Sequence, residues 1–330
     1  MILVTGATGR VGSEVVRTLR RLNLSARALV RKGSEYFWLN DTGCQYFFGD
    51  LRDARSLARA ARGMRYLIVA TNVPLESRDN NHAIVTVEGL KSLLGVAREV
   101  ERVVLVSCLG AGKGLRAVAF QARRSAEEVV QASGLPYTVL RAGPHEGVFL
   151  DLAMAGRSGP VLQPGPGTNL VSPLAAVDIA RMAVASLDLA AVKDQVLEVG
   201  GEPTQSGALL REACAAVGVS AAPTTLPGPL VALGARLGRP VRRYANRLAE
   251  QSVWFREELV ADPAATAARF NLKLSPFGSA LQTQGDRLVR MEDPEQKEAM
   301  IVHRQFYATI YEPGTARLED LPDGPPPRAD

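Results

Sequence analysis

The chain has 330 residues, 46% of them hydrophobic and 22% charged, with a formal net charge of +5. That balance excludes a disordered or fibrous chain, and the length admits one large α/β unit or a dinucleotide domain with a smaller appended region. The positive excess comes from arginines interleaved with acids along the whole sequence, so nothing calls for nucleic acid as a partner. Cys44, Cys108 and Cys214 lie far apart and share no histidine spacing, which supports neither a metal site nor a disulfide framework.

The first strand is expected over Ile2 to Val4, a short aliphatic run suited to burial on both faces. Val11, Val15, Val16 and Leu19 then recur at helical spacing, so the period switches at the intervening glycines. Gly6 permits a tight turn, Gly9 lets the backbone approach a ligand, and Gly12 lets the helix pack on the strand. A diphosphate is accommodated there by the free amides and the dipole of the helix start, and Gly6, Thr8, Gly9, Arg10, Val11 and Gly12 are the residues expected around it. The stretch Thr5-Gly-Ala-Thr-Gly-Arg-Val-Gly12 resembles the atypical short-chain dehydrogenase/reductases, in particular the NmrA-like group with its G-x-x-G-x-x-G spacing. The resemblance fades by about residue 200. It implies a doubly wound Rossmann fold that binds NAD(P) at these glycines, and does not by itself imply catalysis.

Further strands are expected at Ser25 to Val30, Gln45 to Phe48, Tyr66 to Ala70, Arg102 to Val106 and Tyr137 to Leu140. Helices fall between them, near 12–22, 34–40, 53–61, 79–98 and 119–132. Strands alternating with helices predict a parallel sheet with a ligand crevice at the carboxyl ends of the strands. A strand that starts at residue 2 leaves no room for an export leader, so a cytoplasmic location is expected, with attachment to the periphery of a membrane complex kept open.

Each strand end offers candidates. The second strand ends in Arg31 and Lys32, where a carboxylate would hydrogen-bond the ribose of NAD; a cation instead suits the extra phosphate of NADP. Arg31, seconded by Arg10, therefore favours NADP(H) over NAD(H), although arginine is common throughout this chain and a solvated side chain is the alternative. The third strand runs into Gly49-Asp-Leu-Arg-Asp53. In similar proteins such a segment places its aspartate beside the adenine amine, which implicates Asp50 and Leu51, whereas a turn or cap would explain Asp50 equally well, with Asp53 the better cap. After the fourth strand, Ala70, Thr71 and Asn72 correspond to the loop that the resemblance runs beneath the nicotinamide ribose.

Short-chain dehydrogenases typically use a Ser and a Tyr-x-x-x-Lys, the tyrosine moving the proton and the lysine lowering its pKa and holding the ribose. Ser133-Gly-Leu-Pro-Tyr-Thr-Val-Leu-Arg141 resembles the S-G-L-x-Y-T-x-x-R segment of NmrA-like proteins and fixes the register. Counting back ten residues, as in that family, puts the lysine position on Arg123 and the tyrosine position on Ala119. Ala119 has no proton to give, and Arg123 keeps its own near neutral pH. Arg123 is a candidate holder of ribose or phosphate, or a charge on a helix face. Ser107 survives at the end of the fifth strand, but as a loop hydroxyl without a catalytic partner. Glu127 and Glu128 are expected to pair locally, and His145, in the loop after the sixth strand, is a lesser substrate candidate. Neither His145 nor His82 and His303 has a partner that would make a nucleophilic triad.

The first domain is drawn at 1–157, followed by a substrate or cap region over 158–311 that includes late Rossmann elements at 171–200, and by a proline-rich acidic tail at 312–330. Val171 to Ala185 resembles the V-x-x-x-D-I-A helix of NmrA-like proteins, with Asp178 as a first-turn acid. Gln195 to Val199 is a final strand, Thr204 to Val217 a helix, and Ala261 to Leu272 a helix with Pro263 in its first turn. Residues 228–258 form one or two basic amphipathic helices, suited to covering the substrate cleft or to touching a membrane or partner. The uncharged run Ala213 to Ala235 is broken by prolines and does not span a bilayer.

Two functions fit these residues. One is a cofactor-binding protein without the usual proton donor that acts as a redox sensor, scaffold or assembly factor, with a protein partner or membrane-associated complex. The other is an NADPH-dependent reductase of a quinone or activated alkene that needs no tyrosine. Substrate, partner and oligomeric state are not encoded legibly.

Overall fold

The computed structural model describes residues 1–34, 39, 42, 44–227 and 246–292. Its centre is a seven-stranded sheet built from β1 (Ile2–Thr5), β2 (Ala26–Val30), β3 (Gln45–Phe48), β4 (Tyr66–Val69), β5 (Arg102–Cys108), β6 (Tyr137–Ala142) and the strand Gln195–Val199. The order across the sheet is β3-β2-β1-β4-β5-β6 and then Gln195–Val199, with every pairing parallel. Chain order reverses on the two sides of β1, which creates the switch-point crevice between the ends of β1 and β4.

Helices cover both faces: α1 (Arg10–Arg21), α2 (Ala54–Ala61), α3 (Gly89–Val96), α4 (Val118–Gln131), α5 (Glu146–Ala155), α6 (Ala176–Ala185) and α7 (Ser206–Ala216). Strand alternation sorts the core between the faces. Ile2 and Val4 of β1, with Ile68 and Val104, join the cluster of α1 and α6, whereas Leu3, Leu67 and Val103 pack with α2 and α3. A third cluster, beyond the carboxyl ends of the strands, joins α5 and α7 to Trp254, Phe255, Leu259 and Leu281. The strands expected from sequence all form, with ends displaced by one or two residues. Asp53 caps α2 by accepting from the Arg55 amide, as anticipated.

The expected helix at 79–98 is in fact two elements. Asn81 caps a π-helical turn, His82–Glu88, which runs into α3 at Gly89. Such a turn inserts one extra residue per turn and leaves no mark in apolar periodicity. Asp178 is a fully buried first-turn acid of α6, and it also binds the amide and hydroxyl of Ser275 at 2.6 and 3.0 Å, tying a distant segment to this helix. The expected 261–272 helix forms as Pro263–Phe270, capped by Asp262. The helix at 34–40, apart from Ser34 and Leu39, the 228–245 part of the basic amphipathic stretch, His303 and the 312–330 tail lie outside the described residues. Among the described residues, no helix is long and apolar enough to cross a membrane.

Candidate functional site

At the end of β1 the chain turns through Gly6, whose φ of +69° an L side chain would strain to adopt. A Cβ there would also lie 2.4 Å from the Ala70 carbonyl oxygen, so this glycine lets the loops after β1 and β4 touch. Gly12 serves the packing of α1 on the turn, because a Cβ on it would sit 2.1 Å from the Gly6 carbonyl oxygen. Gly9 differs: it is exposed, and a Cβ on it would meet only the Gly6 oxygen, at 3.2 Å. Gly9 is the N-cap of α1 with no side-chain cap, so the first-turn amides have no capping oxygen competing for them. Thr8 is half-buried beside it and Val11 buried beneath it.

The ends of β2 and β3, where the resemblance expects the adenosine, form one side of the crevice. Arg31 is exposed, and its Nη1 donates to Asn80 Oδ1 at 2.7 Å. The Asp50 carboxylate accepts from the Arg52 amide at 2.9 Å and from the Arg52 guanidinium at 2.9 and 2.6 Å. These bonds and the nearby Arg31 charge hold the Asp50 carboxyl below its ordinary pKa despite the opposing effect of burial. The structure therefore displays the turn role of Asp50. Leu51 is buried against Gly89 in the core. Sequence reasoning passed over Arg52, a cation that acts on Asp50 as Arg31 does and whose place depends on the Asp50 turn.

In the loop after β4, the Thr71 and Thr5 hydroxyls are 2.9 Å apart and buried, and the Ala70 amide donates to the Thr5 carbonyl. Arg123 reaches from α4 to this loop, with Nη2 donating to Asn72 Oδ1 and Nη1 to the Val106 carbonyl, both at 3.2 Å. Burial holds its guanidinium below the ordinary arginine value. Ala119, one turn earlier on α4, packs against the third core cluster. Among the described tyrosines, Tyr46 donates to the Leu39 carbonyl, Tyr66 to Asp188, and Tyr137 opens β6 at the opposite end of the sheet, so none replaces the missing phenol.

Ser107 donates to Glu127 at 2.5 Å, and Glu127 also accepts from Arg141 at 2.7 Å. Glu127 is buried and belongs to this bridge between α4, β5 and β6, which corrects the expected local pairing on the helix. Glu128 does pair locally, with Arg124. Cys108, at the end of β5, has its thiol pushed up to about 12 by burial and is a poor nucleophile.

His145 is the N-cap of α5, its Nδ1 accepting from the Gly147 amide at 3.0 Å. Burial, seconded by the Arg10 charge, brings its pKa down to about 4, so the ring is neutral at pH 7 and serves as a cap. Arg10 packs over Gly147 and donates to Asp151 Oδ1, while Arg247 donates to Oδ2 of the same carboxylate, each at 2.5 Å. The expected second cation of the glycine loop is thus held by a carboxylate 141 residues away. Helical residues 246–251, within the described 246–258 part of the basic amphipathic stretch, line a cleft with Pro74 and Glu76 of the loop after β4.

A family model described as NAD(P)H-binding matches residues 6–194. The chain is 30% identical over 248 residues to the NAD(P)H azoreductase of Xenophilus azovorans, covering 75% of this chain and 78% of that one. It is 26% identical over 217 residues to the photosystem II assembly factor Ycf39 of Cyanophora paradoxa, covering 64% and 67%. Its fold is similar to that of an NADPH-dependent quinone oxidoreductase of Escherichia coli complexed with NADPH, with a TM-score of 0.68, 20% identity, and 86% of this chain and 99% of that one covered.

Proposed function

Because the chain belongs to the NAD(P)H-binding reductase family, in the NmrA-like group of atypical short-chain dehydrogenase/reductases, we propose that it holds NADP(H) at the start of α1 and works as a redox sensor, scaffold or assembly factor. One observation carries this reading. The α4 register that should bring a phenol and an ammonium to the nicotinamide brings a methyl group, Ala119, and a guanidinium, Arg123, that is already bonded to Asn72 and Val106. Arg123 can fix a ribose hydroxyl but cannot deliver a proton to a carbonyl. The exposed Arg31, with Lys32 and Arg52 nearby, supports NADP(H) over NAD(H) through the extra phosphate. The similarity to an assembly factor supports a protein partner.

The similarity to an azoreductase favours a second reading, reduction of a quinone or another acceptor that takes hydride directly and its proton from water. NADPH oxidation by the purified protein against quinones, azo dyes and enones separates the two. The sensor or scaffold reading expects turnover far below about 1 per second, and turnover at or above that ordinary enzymatic value would establish the reductase instead.

A further inference from the structure

Residues 246–251 are bonded to one side of the crevice and packed against the other. Arg247 is bonded to Asp151 of α5, which follows β6, and Glu250 Oε1 lies 3.8 Å from His82 Nε2 on the π-helical turn that follows β4. His82 is 1% exposed, and its Nε2 is buried with no hydrogen-bond partner. Arg247 and Glu250 also line a cleft with Pro74 and Glu76 of the loop after β4. This short helix therefore forms a strap that is bonded to the segment after β6 and lies against the segment after β4. Its anchor on α5 is the same carboxylate that holds Arg10, the first residue of α1.

We propose that Asp151 is a counter-ion which the dinucleotide displaces from Arg10, so that occupancy of the glycine loop is passed to the 246–251 strap through Arg247. The inference rests on the reading that a diphosphate sits at the start of α1. Such a group carries two charges and accepts a guanidinium in bidentate fashion, so it competes directly with Asp151 for Arg10. Once Arg10 turns to the phosphate, the whole Asp151 charge faces Arg247 and the strap is held more firmly. By reciprocity, whatever stabilises the strap also alters cofactor affinity by the same factor. A partner protein that reads the position of the strap would then distinguish the loaded from the empty protein.

The test is a cycle of Asp151→Asn, Arg10→Gln and the double variant, titrated with NADPH by calorimetry, together with amide hydrogen exchange of 246–251. Freeing Arg10 should make Asp151→Asn bind NADPH about five- to tenfold more tightly, and the gain should vanish in the Arg10→Gln background. In the absence of cofactor, both Asp151→Asn and Arg247→Gln should speed exchange of 246–251 by about two- to fivefold, the yield of one part-exposed ion pair. NADPH should slow that exchange in the wild type and leave it unchanged in Arg10→Gln. An equal gain in both backgrounds would mean a plain field effect and would overturn the switch, as would cofactor-free exchange indifferent to Asp151 and Arg247. No NADPH heat in the wild type would overturn the cofactor reading itself and the displacement with it, while the cofactor-free exchange would still decide whether Asp151 fastens the strap.

Discussion

The Arg123 guanidinium joins α4 to the loop after β4, donating to Asn72 Oδ1 at 3.2 Å, at the position where the short-chain dehydrogenase pattern has a lysine. A planar, permanently charged group stands where the resemblance expects a mobile ammonium, and the position it gives to the phenol is Ala119. In the proposed reading the site keeps the means to orient a ribose and lacks the means to move a proton. Replacing Arg123 by Ala should therefore raise the NADPH dissociation constant by about five- to thirtyfold, equivalent to about 1–2 kcal/mol, as read by calorimetry.

Cofactor choice should follow Arg31. Its guanidinium is exposed at the end of β2, where it donates to Asn80 Oδ1 at 2.7 Å, so it can turn to a 2′-phosphate by exchanging one hydrogen bond. NADPH should bind more tightly than NADH, and Arg31→Asp should reverse the order by placing a carboxylate where the ribose hydroxyls lie. Equal affinities in the wild type would remove Arg31 from the account.

The bridge from Ser107 through Glu127 to Arg141 should be structural. Glu127 is buried, and truncating it leaves a serine hydroxyl and a guanidinium without their acceptor. Glu127→Ala should cost about 2–3 kcal/mol of stability in denaturant unfolding, whereas Ser107→Ala, which removes one donor, should cost about 1 kcal/mol.

His145 and Glu146 should oppose each other in the dependence of stability on pH. Burial raises Glu146 to about 7, so the folded protein binds more protons there than the unfolded chain, and stability falls as pH rises toward and through 7. His145 is lowered to about 4, so the unfolded chain binds more protons, and stability falls as pH drops from about 6.5 toward 4. Glu146→Gln, which keeps an acceptor for the Ala176 amide, should gain on the wild type as pH rises from 5 to 8, while His145→Asn, which keeps a cap, should gain as pH falls from 7 to 4. Melting temperatures across that range test both slopes, and parallel curves for a variant and the wild type would contradict the assignment for that residue.

The sheet, the glycine turn and the α4 helix were legible because each is local. An aliphatic run, a glycine spacing and a helical apolar repeat need no knowledge of what lies across the fold. Asp53 was readable as a cap for the same reason. The ion pairs were not: Asp151 meets Arg10 across 141 residues and Arg247 across 96, and Asp178 meets Ser275 across 97. Glu127 stands four residues from Arg123 on α4, yet its partner is Arg141 on β6, since packing against β5 and β6 turns the carboxylate inward. Where charged residues are this frequent, spacing alone does not choose among partners.

The most direct test of the cofactor site is a calorimetric titration of the wild type and Gly9→Val with NADPH. Gly9 has extended backbone, φ −80° and ψ 170°, and the one atom a Cβ would meet within 4 Å is the Gly6 carbonyl oxygen at 3.2 Å, so valine asks a shift of a few tenths of an ångström of the turn and covers the amides that would grip a diphosphate. The expected result is saturable binding by the wild type and, in a variant whose melting temperature is nearly unchanged, affinity lowered by more than about tenfold, or about 1.4 kcal/mol. A folded Gly9→Val protein that binds NADPH as tightly as the wild type would contradict the placement of the dinucleotide at the start of α1.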